Sequence, residues 1–420
     1  MGVVKSPEAG YLPMLGSRDD YVDFLEGYAP STVEQLEQRT SRKLVKAYML
    51  ETVADSARFP PLTKLFPGRV ALDRLDEALF RVQDSEHDNR IVGLLEAVDD
   101  RHPVFYTTLA SDESDKWVRQ VVDQSPWLDR LWLSSPILFQ LWQYVQETVP
   151  PHRYVRLGFE HEAWYESSVE TTTPSLQEFD ALDNVIDDET AATDDAPDAA
   201  LIEHRRSRVQ LTERLGVLQS RLPQLTELYD PLRSLVQLQM PSAGRGGHLF
   251  HYDGKSTNRS DSFAEHRATV ELVLKLYRTL TERAEQQLWV GATDAGDDGY
   301  RVTGAPVLIR FSQPLAPPTF DKFVRLGLER KTSRLRIGGY VQRRGPTKVQ
   351  LAAIDRHLWQ PFLLEATSRQ LLAVLPRGTC GNTVHRLVTN VQRLVDPNIS
   401  VWLGSEPYEE VVASSFQAAA

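Results

Sequence analysis

The order of apolar and polar positions along the chain predicts a mixed helix–strand protein. Ser31-Thr32-Val33-Glu34 has the spacing of a capping box, and Val33, Leu36, Leu44, Val45 and Tyr48 follow at roughly helical intervals. Residues 1–89 therefore read as a helical N-terminal region, with a second helix expected over about 71–82. From residue 90 the pattern changes to an α/β unit over 90–165. Strands are expected at 91–98, 104–109, 131–133 and 154–159, and helices at 116–122 and 137–149. Trp117, Trp127, Trp132, Trp142 and Tyr144 concentrate in this stretch and read as core packing.

Residues 166–200 hold eleven acids and no Lys or Arg, with few large apolar groups. Such a composition does not offset chain entropy, so a disordered acidic linker is expected. Beyond it, Leu211, Leu215, Leu218, Leu222, Leu225, Tyr229, Leu232 and Val236 alternate spacings of four and three, a heptad seam interrupted by Pro223 and Pro231. A partner helix begins at Ser262-Phe263-Ala264-Glu265, another capping-box spacing, and presents Val270, Val273, Leu274, Tyr277 and Leu280. Residues 201–290 thus read as an internal helical hairpin with a long loop at 240–261. An intermolecular coiled coil is the alternative, disfavoured because the prolines break a long register.

The C-terminal part alternates again. Strands are expected at 307–311, 334–341, 349–354, 362–366, 371–375 and 399–403, with helices at 320–328 and 383–395. Without the extra strands this is β-α-β-β-α-β, the order of a ferredoxin-like fold, over 291–412; residues 413–420 read as a tail. The expected class is α+β: two α/β units, the second ferredoxin-like, separated by the acidic linker and the helical hairpin. A pattern also occurs twice: Pro-Val-Phe-Tyr, Asp-Lys-Trp-Val-Arg and Arg-Leu-Trp-Leu over 103–135 match Pro-Val-Leu-Ile, Asp-Lys-Phe-Val-Arg and Arg-Leu-Arg-Ile over 306–339.

Composition adds three constraints. The 420 residues, 41% hydrophobic and 25% charged, are those of an ordinary globular chain, and no apolar run approaches the ~20 residues of a membrane span. A single cysteine, Cys380, excludes an intrachain disulfide framework and fits a reducing, cytoplasmic setting. The net charge of −11 is uneven: residues 301–420 carry 16 Lys and Arg against 8 Asp and Glu.

Three places invite chemistry. Lys331, Arg334, Arg336, Arg343, Arg344 and Lys348 form a basic hairpin, with Arg334 and Arg336 on one face if both lie on a strand. With Arg377 and Arg386 they are the candidates for anion or nucleic-acid binding. Around Leu375–Arg386 a strand leads into a helix, which places Cys380 where a helix N-terminus lowers a thiol pKa, with His385 nearby; the competing reading is a buried structural cysteine. The 240–261 connection carries Arg245, His248, Phe250, His251, Tyr252 and Lys255 as a partner-binding loop. His248, His251 and Asp253 are of metal-ligating type, but the cluster is too small for a closed site. No cofactor motif is present.

Arg336-Ile337-Gly338-Gly339 between two strands resembles the Arg-x-Gly-Gly hairpin of GGDEF-type nucleotidyl cyclases, which are ferredoxin-like at the core. The match spans four residues. Tyr340-Val341 replaces the family's acidic pair and strand 307–311 supplies no metal-binding Asp, so the resemblance implies an inactive relative. The element order is also similar to that of tandem ferredoxin-like RNA-binding proteins of bacterial CRISPR complexes. Together these features lead to the expectation of a non-enzymatic adaptor or regulatory subunit of a cytoplasmic bacterial multiprotein system, in defence or signalling, working through a protein partner. The alternatives are an RNA- or DNA-binding module on the basic C-terminal face and a cysteine- or metal-dependent enzyme.

Overall fold

The computed structural model describes residues 10–37, 43–52, 62–163, 205–294, 296, 299–330 and 333–419. The acidic segment 166–200 and Lys331 lie outside these residues.

The N-terminal part alternates between helix and strand in the order α1 (Arg18–Glu37), β1 (Lys46–Glu51), β2 (Val70–Arg74), β3 (Leu79–Asp84), β4 (Arg90–Ala97), β5 (Pro103–Thr107), α2 (Ser111–Gln124), β6 (Asp129–Arg130), α3 (Ser135–Thr148) and β7 (Tyr154–Ala163). The middle runs β8 (Arg205–Arg214), α4 (Leu215–Leu228), β9 (Leu235–Pro241), β10 (Gly247–His251), β11 (Lys255–Asn258) and α5 (Phe263–Leu288). The C-terminal part runs β12 (Gly291–Asp294), β13 (Tyr300–Thr303), β14 (Val307–Arg310), α6 (Pro317–Phe323, continued by a π-turn over Val324–Glu329), β15 (Ile337–Gly345), β16 (Lys348–Asp355), β17 (Pro361–Thr367), β18 (Gln370–Val374), α7 (Asn382–Leu394), β19 (Ser400–Leu403), β20 (Glu406–Pro407) and α8 (Tyr408–Ala419). The fold is α+β, and every strand pair is antiparallel within its sheet.

The large sheet has the order β2-β3-β4-β5-β1-β11-β10-β9-β7-β8, with β6 beside β1. Its central strands alternate cleanly. Tyr48, Leu50, Leu95 and Phe105 meet Trp117, Val118, Val121 and Val122 of α2 on one face, while Ala47, Met49, Leu94 and Tyr106 join α1 and α5 on the other. The smaller sheet has the order β15-β16-β17-β18-β14-β19-β20. Val307, Ile309, Leu351, Phe362, Leu364 and Leu371 on its inner side belong to the same core as α5, α7 and α8, so one apolar core joins both sheets.

Several expectations are corrected. Ser31 lies inside α1, which starts at Arg18, and Leu44, Val45 and Tyr48 enter strand β1 or lead into it. Two paired neighbours, β5 and β11, satisfy β1 on both sides and override the helical spacing. Residues 71–82 form the β2–β3 hairpin; Asp76 closes it by accepting from the N–H groups of Ala78 and Leu79, at 2.7 and 2.6 Å. The stretch 131–133 is not a strand; the pairing falls on Asp129 and Arg130.

The helical hairpin over 201–290 is not formed. Leu211 and Val236, the ends of the heptad run, sit on β8 and β9, and only Leu215–Leu228 is helical. Pro231 opens a separate 3-10 turn. The 240–261 loop is instead the β10–β11 hairpin at the centre of the large sheet, closed by Gly254 at φ 80°. Residues 413–419 continue α8 rather than forming a tail. The Ser262 cap holds: its hydroxyl accepts from the Glu265 N–H at 3.1 Å, while the Glu265 carboxylate ties down Ser242 and the Ala243 N–H rather than closing a box. The two halves of the repeated pattern share strand–helix–strand order but not placement. β5 and β6 both pair β1, whereas β14 and β15 are separated by three strands.

Candidate partner groove and the buried network behind it

α7 explains where the reactive residue types go. It is buried along its whole length, between the two sheets, although eight of its thirteen residues are polar or charged. Buried polar groups must be paired. Arg386 is fully buried and bridges Asp129, beside β1, to Asp355, at the end of β16, the latter at 2.5 Å. Its Nε donates to the Leu335 carbonyl at 2.9 Å. Asn382 donates to Asp129 at 3.2 Å, and Thr383 donates to Asp355. Arg336, also buried, approaches Asp129 at 3.3 Å and donates to the Val122 carbonyl at 3.1 Å. Burial opposes ionisation of Asp129, but Arg386 and Arg336 outweigh it and hold the carboxyl below its usual range. Burial likewise opposes the Arg386 charge, and Asp355 and Asp129 together raise its pKa.

A second cluster adjoins the first. The Arg101 guanidinium binds Glu51 at 2.7 Å and Glu285 at 2.5 Å. Cys380 points its thiol at Glu51, 3.1 Å away, and the Gly381 N–H donates to Glu285 at 2.8 Å. The expected lowering of the Cys380 pKa is reversed: burial, then the Glu51 carboxylate, push the thiol well up. His385 does not face Cys380. Its ring lies 2.7 Å from the Tyr408 hydroxyl and 3.3 Å from Thr281 Oγ1, and burial pushes its pKa down to about 3. A thiol held protonated and an imidazole bonded elsewhere do not form a nucleophile–base couple.

The remaining sequence candidates fall into two groups. Phe250 and His251 are buried on β10, and His248 meets the ring of His266, Nδ1 to Nδ1 at 3.2 Å. Asp253 pairs with Arg130 at 2.6 Å, Lys255 with Asp115 at 2.9 Å, and Tyr252 lies under the Arg393 guanidinium at 4.5 Å. The partner-binding loop is thus a strand pair, with Arg245 exposed. Among the described residues no three His, Cys, Asp or Glu side chains gather as a metal site requires. On the basic face, Arg334 and Arg336 do not share a strand face: both precede β15, Arg336 at φ 52°. Arg334 pairs with Glu162 at 3.1 Å, Arg343 with Asp321 at 2.7 Å and Lys348 with Glu365 at 2.9 Å; Arg344 and Arg377 are exposed.

What the network leaves open is a groove of about 810 Å³ on its far side. α3 supplies one wall with Phe139, Trp142 and Gln143. This helix starts at Ser135-Pro136, where a first-turn proline costs no hydrogen bond. α4 supplies the other with Gln219, Leu222, Pro223 and Glu227. Pro223 has no N–H, so the Gln219 carbonyl one turn back loses its usual helical donor. Gln392 of α7, with Asn398 and Ile399, forms the end, and Glu409 and Glu410 of α8 stand on the rim. Among the described residues three carboxylates, from Glu227, Glu409 and Glu410, line it against one cation, Arg233. The groove and network are one construction. Arg393, one residue after Gln392, is locked by Glu160 at 2.6 Å, and Tyr408, one residue before Glu409, is held by His385 and by Ser134, the latter at 3.0 Å. No sequence motif marks this groove, because its walls come from separate stretches of the chain at α3, α4 and the α7–α8 region.

A family model described as "MJECL33-like protein" matches residues 19–188 and 248–410. The chain belongs to the MJECL33-like protein family. Both matched segments of this MJECL33-like chain contribute to the buried network, whereas α4, one groove wall, falls in the interval between them. The chain is 28% identical over 146 residues to "Uncharacterized protein MJECL33" of Methanocaldococcus jannaschii, a match covering 35% of this chain and 34% of the relative. It thus spans about a third of that protein's length. No solved structure matches. The family identified is neither of the two that the Arg-x-Gly-Gly hairpin and the element order suggested.

Among the described residues no helix is long and apolar enough to cross a membrane.

Proposed function

We propose that this chain is a non-enzymatic adaptor or regulatory subunit of a cytoplasmic multiprotein system. In this reading it holds an extended or helical segment of a partner protein in the groove between α3, α4 and α8. One observation carries the reading. The residue types capable of chemistry are tied into buried ion pairs, while the open concave surface is lined by apolar side chains, glutamines and carboxylates. Such a lining suits an apolar anchor flanked by Lys or Arg: Phe139, Trp142 and Leu222 take the anchor, the glutamines meet donors, and the rim glutamates meet the cations. In the same reading the C-terminal unit is ferredoxin-like, with β19, β14, β18 and β17 as its four core strands, α6 and α7 on one face, and the β15–β16 hairpin inserted before the second core strand.

Selection from a random peptide display library tests this. The native chain is expected to enrich peptides with an apolar or aromatic residue between basic ones. The double variant E409K/E410K, both changes at the rim, is expected to lose those peptides at unchanged thermal stability. Enrichment of no common pattern, or retention of the same peptides by the variant, refutes the groove as the partner seat.

A further inference from the structure

The small sheet covers only one of its faces. Its inner face packs on α6 and α7, but among the described residues nothing covers the outer face of β15, β16 and β17. The register defines what that face displays. Tyr340, Ala352 and Leu363 form one cross-strand row, and Gly338, Ile354 and Pro361 the next toward one end. Gln342, Gln350 and Glu365 form the row on the other side, followed by Lys348 and Thr367 at the hairpin tip. Tyr340 is 80% exposed, Leu363 60% and Ile354 38%, an aromatic and apolar strip that no element among the described residues covers. In the turn that follows the Ile354–Pro361 pair, Leu358 and Trp359 both adopt positive φ, 67° and 52°. This strained turn buries Leu358 and leaves the Trp359 indole 62% exposed, an arrangement that costs backbone energy and puts an aromatic ring in water.

The opposite end of the same strands is basic. Arg344 reaches the outer face, donating to the Gln350 amide oxygen at 3.0 Å, and no carboxylate among the described residues pairs with it. Lys348 sits beside it on the same face, half exposed and paired with Glu365, whereas Arg343, opposite the buried Val349, turns to the other face and pairs with Asp321 of α6. Rows two residues apart are about 7 Å apart along a strand, which is close to the spacing of successive nucleotides in an extended single strand. Cations at the tip are thus followed by the polar row of Gln342, Gln350 and Glu365 and then, two nucleotide intervals from the tip, by a face of exposed ring and apolar groups.

We infer that the outer face of β15–β17 binds single-stranded nucleic acid. Arg344, with Lys348, meets the phosphates, and bases stack on Tyr340 and, at the far end, Trp359. The chain's overall negative charge is not concentrated here: three of the C-terminal cations, Arg336, Arg386 and Arg393, are held in buried ion pairs, but the hairpin tip still presents Arg344 and Lys348 against Glu365. The site is separate from the groove, so it stands or falls independently of the adaptor reading. Duplexes are excluded in this reading, because their bases are stacked on each other and not available to the rings.

Fluorescence anisotropy with labelled oligo-dT, oligo-U and a duplex of the same length, over a range of salt, tests the inference with the full chain. Binding of both single strands, weakening with salt, and at least ten-fold poorer binding of the duplex are expected. Tyr340→Ala should weaken single-strand binding roughly 5- to 150-fold, the range for losing one stacked base, with the salt slope unchanged. Arg344→Ala should weaken it and make the slope shallower. Both side chains are exposed, so unfolding midpoints serve as the control for intact structure. No binding at low salt overturns the proposal and leaves the strip as a protein contact. Binding insensitive to Tyr340→Ala, or equal for duplex and single strand, shows charge attraction without stacking and also overturns it.

Discussion

Arg386 is the residue on which the two sheets depend most, and its removal gives the most informative perturbation. In Arg386→Met the stem still fills its space, but the guanidinium between Asp129 and Asp355 is lost. Breaking a buried ion pair by removing one partner costs about 3–5 kcal/mol, because the other charge stays buried without compensation. Here two carboxylates are stranded, which argues for the upper end. Asp129 keeps Arg336 and Asn382, and Asp355 keeps Thr383 and the His357 N–H at 2.9 Å, which argues for the lower. A loss of about 3–4 kcal/mol is expected, read as a lower urea midpoint at a similar slope. Asp355→Asn is destabilising alone, but it removes one of the stranded charges. In the double variant the two losses should fall short of their sum by about 1–3 kcal/mol. A loss below about 1 kcal/mol in Arg386→Met, or strict additivity, would refute the claim that this ion cluster welds the sheets.

Two further outcomes follow from the buried groups. His385 titrates near 3 when folded against 6.5 as a free side chain, and burial also lowers His248, His266 and His357. The unfolded chain therefore binds more protons just below pH 6.5, so stability falls as pH drops from there, by about 1.4 kcal/mol per pH unit for His385 alone. The carboxylates held low by cations, Glu51 and Asp129, add their loss only below about pH 4. Unfolding midpoints that stay flat from pH 7 to pH 5 would contradict this. Gly246 sits at φ 74°, where a Cβ would come within 1.9 Å of the Arg259 carbonyl oxygen, so Gly246→Ala should destabilise by about 2 kcal/mol or more in urea unfolding.

How much of this was legible in the sequence varies along the chain for physical reasons. The C-terminal strands and α7 were placed well, because each strand alternates over one covered and one open face. The middle was misread because a heptad spacing of leucines also fits a strand, a short helix, a 3-10 turn and another strand in succession. Pro223 and Pro231 signalled breaks, but not the change of element type. The β10–β11 hairpin looked like a loop because, apart from Leu249 and Phe250, its buried positions are mostly His, Lys, Ser, Thr and Asn, polar types that only tertiary partners such as Asp115 and His266 make tolerable in a core. Cys380 and His385 read as candidate catalytic residues and Arg336 and Arg386 as candidate anion binders, but all four are buried; their partners Glu51, Asp129 and Glu285 come from distant segments, so their structural role had no local signature. The repeated pattern marked two real strand–helix units without fixing how either joins its sheet.

The central claim is that these acids, bases and the lone thiol are internal struts, and that the protein acts through its surfaces. The reactivity of Cys380 toward a thiol reagent near pH 8 tests it most directly, since the chain has no other cysteine. The account predicts no labelling of the native protein over the time in which the urea-unfolded chain is labelled completely. Rapid, stoichiometric labelling of the folded protein would place the thiol in an accessible, activated site and contradict it.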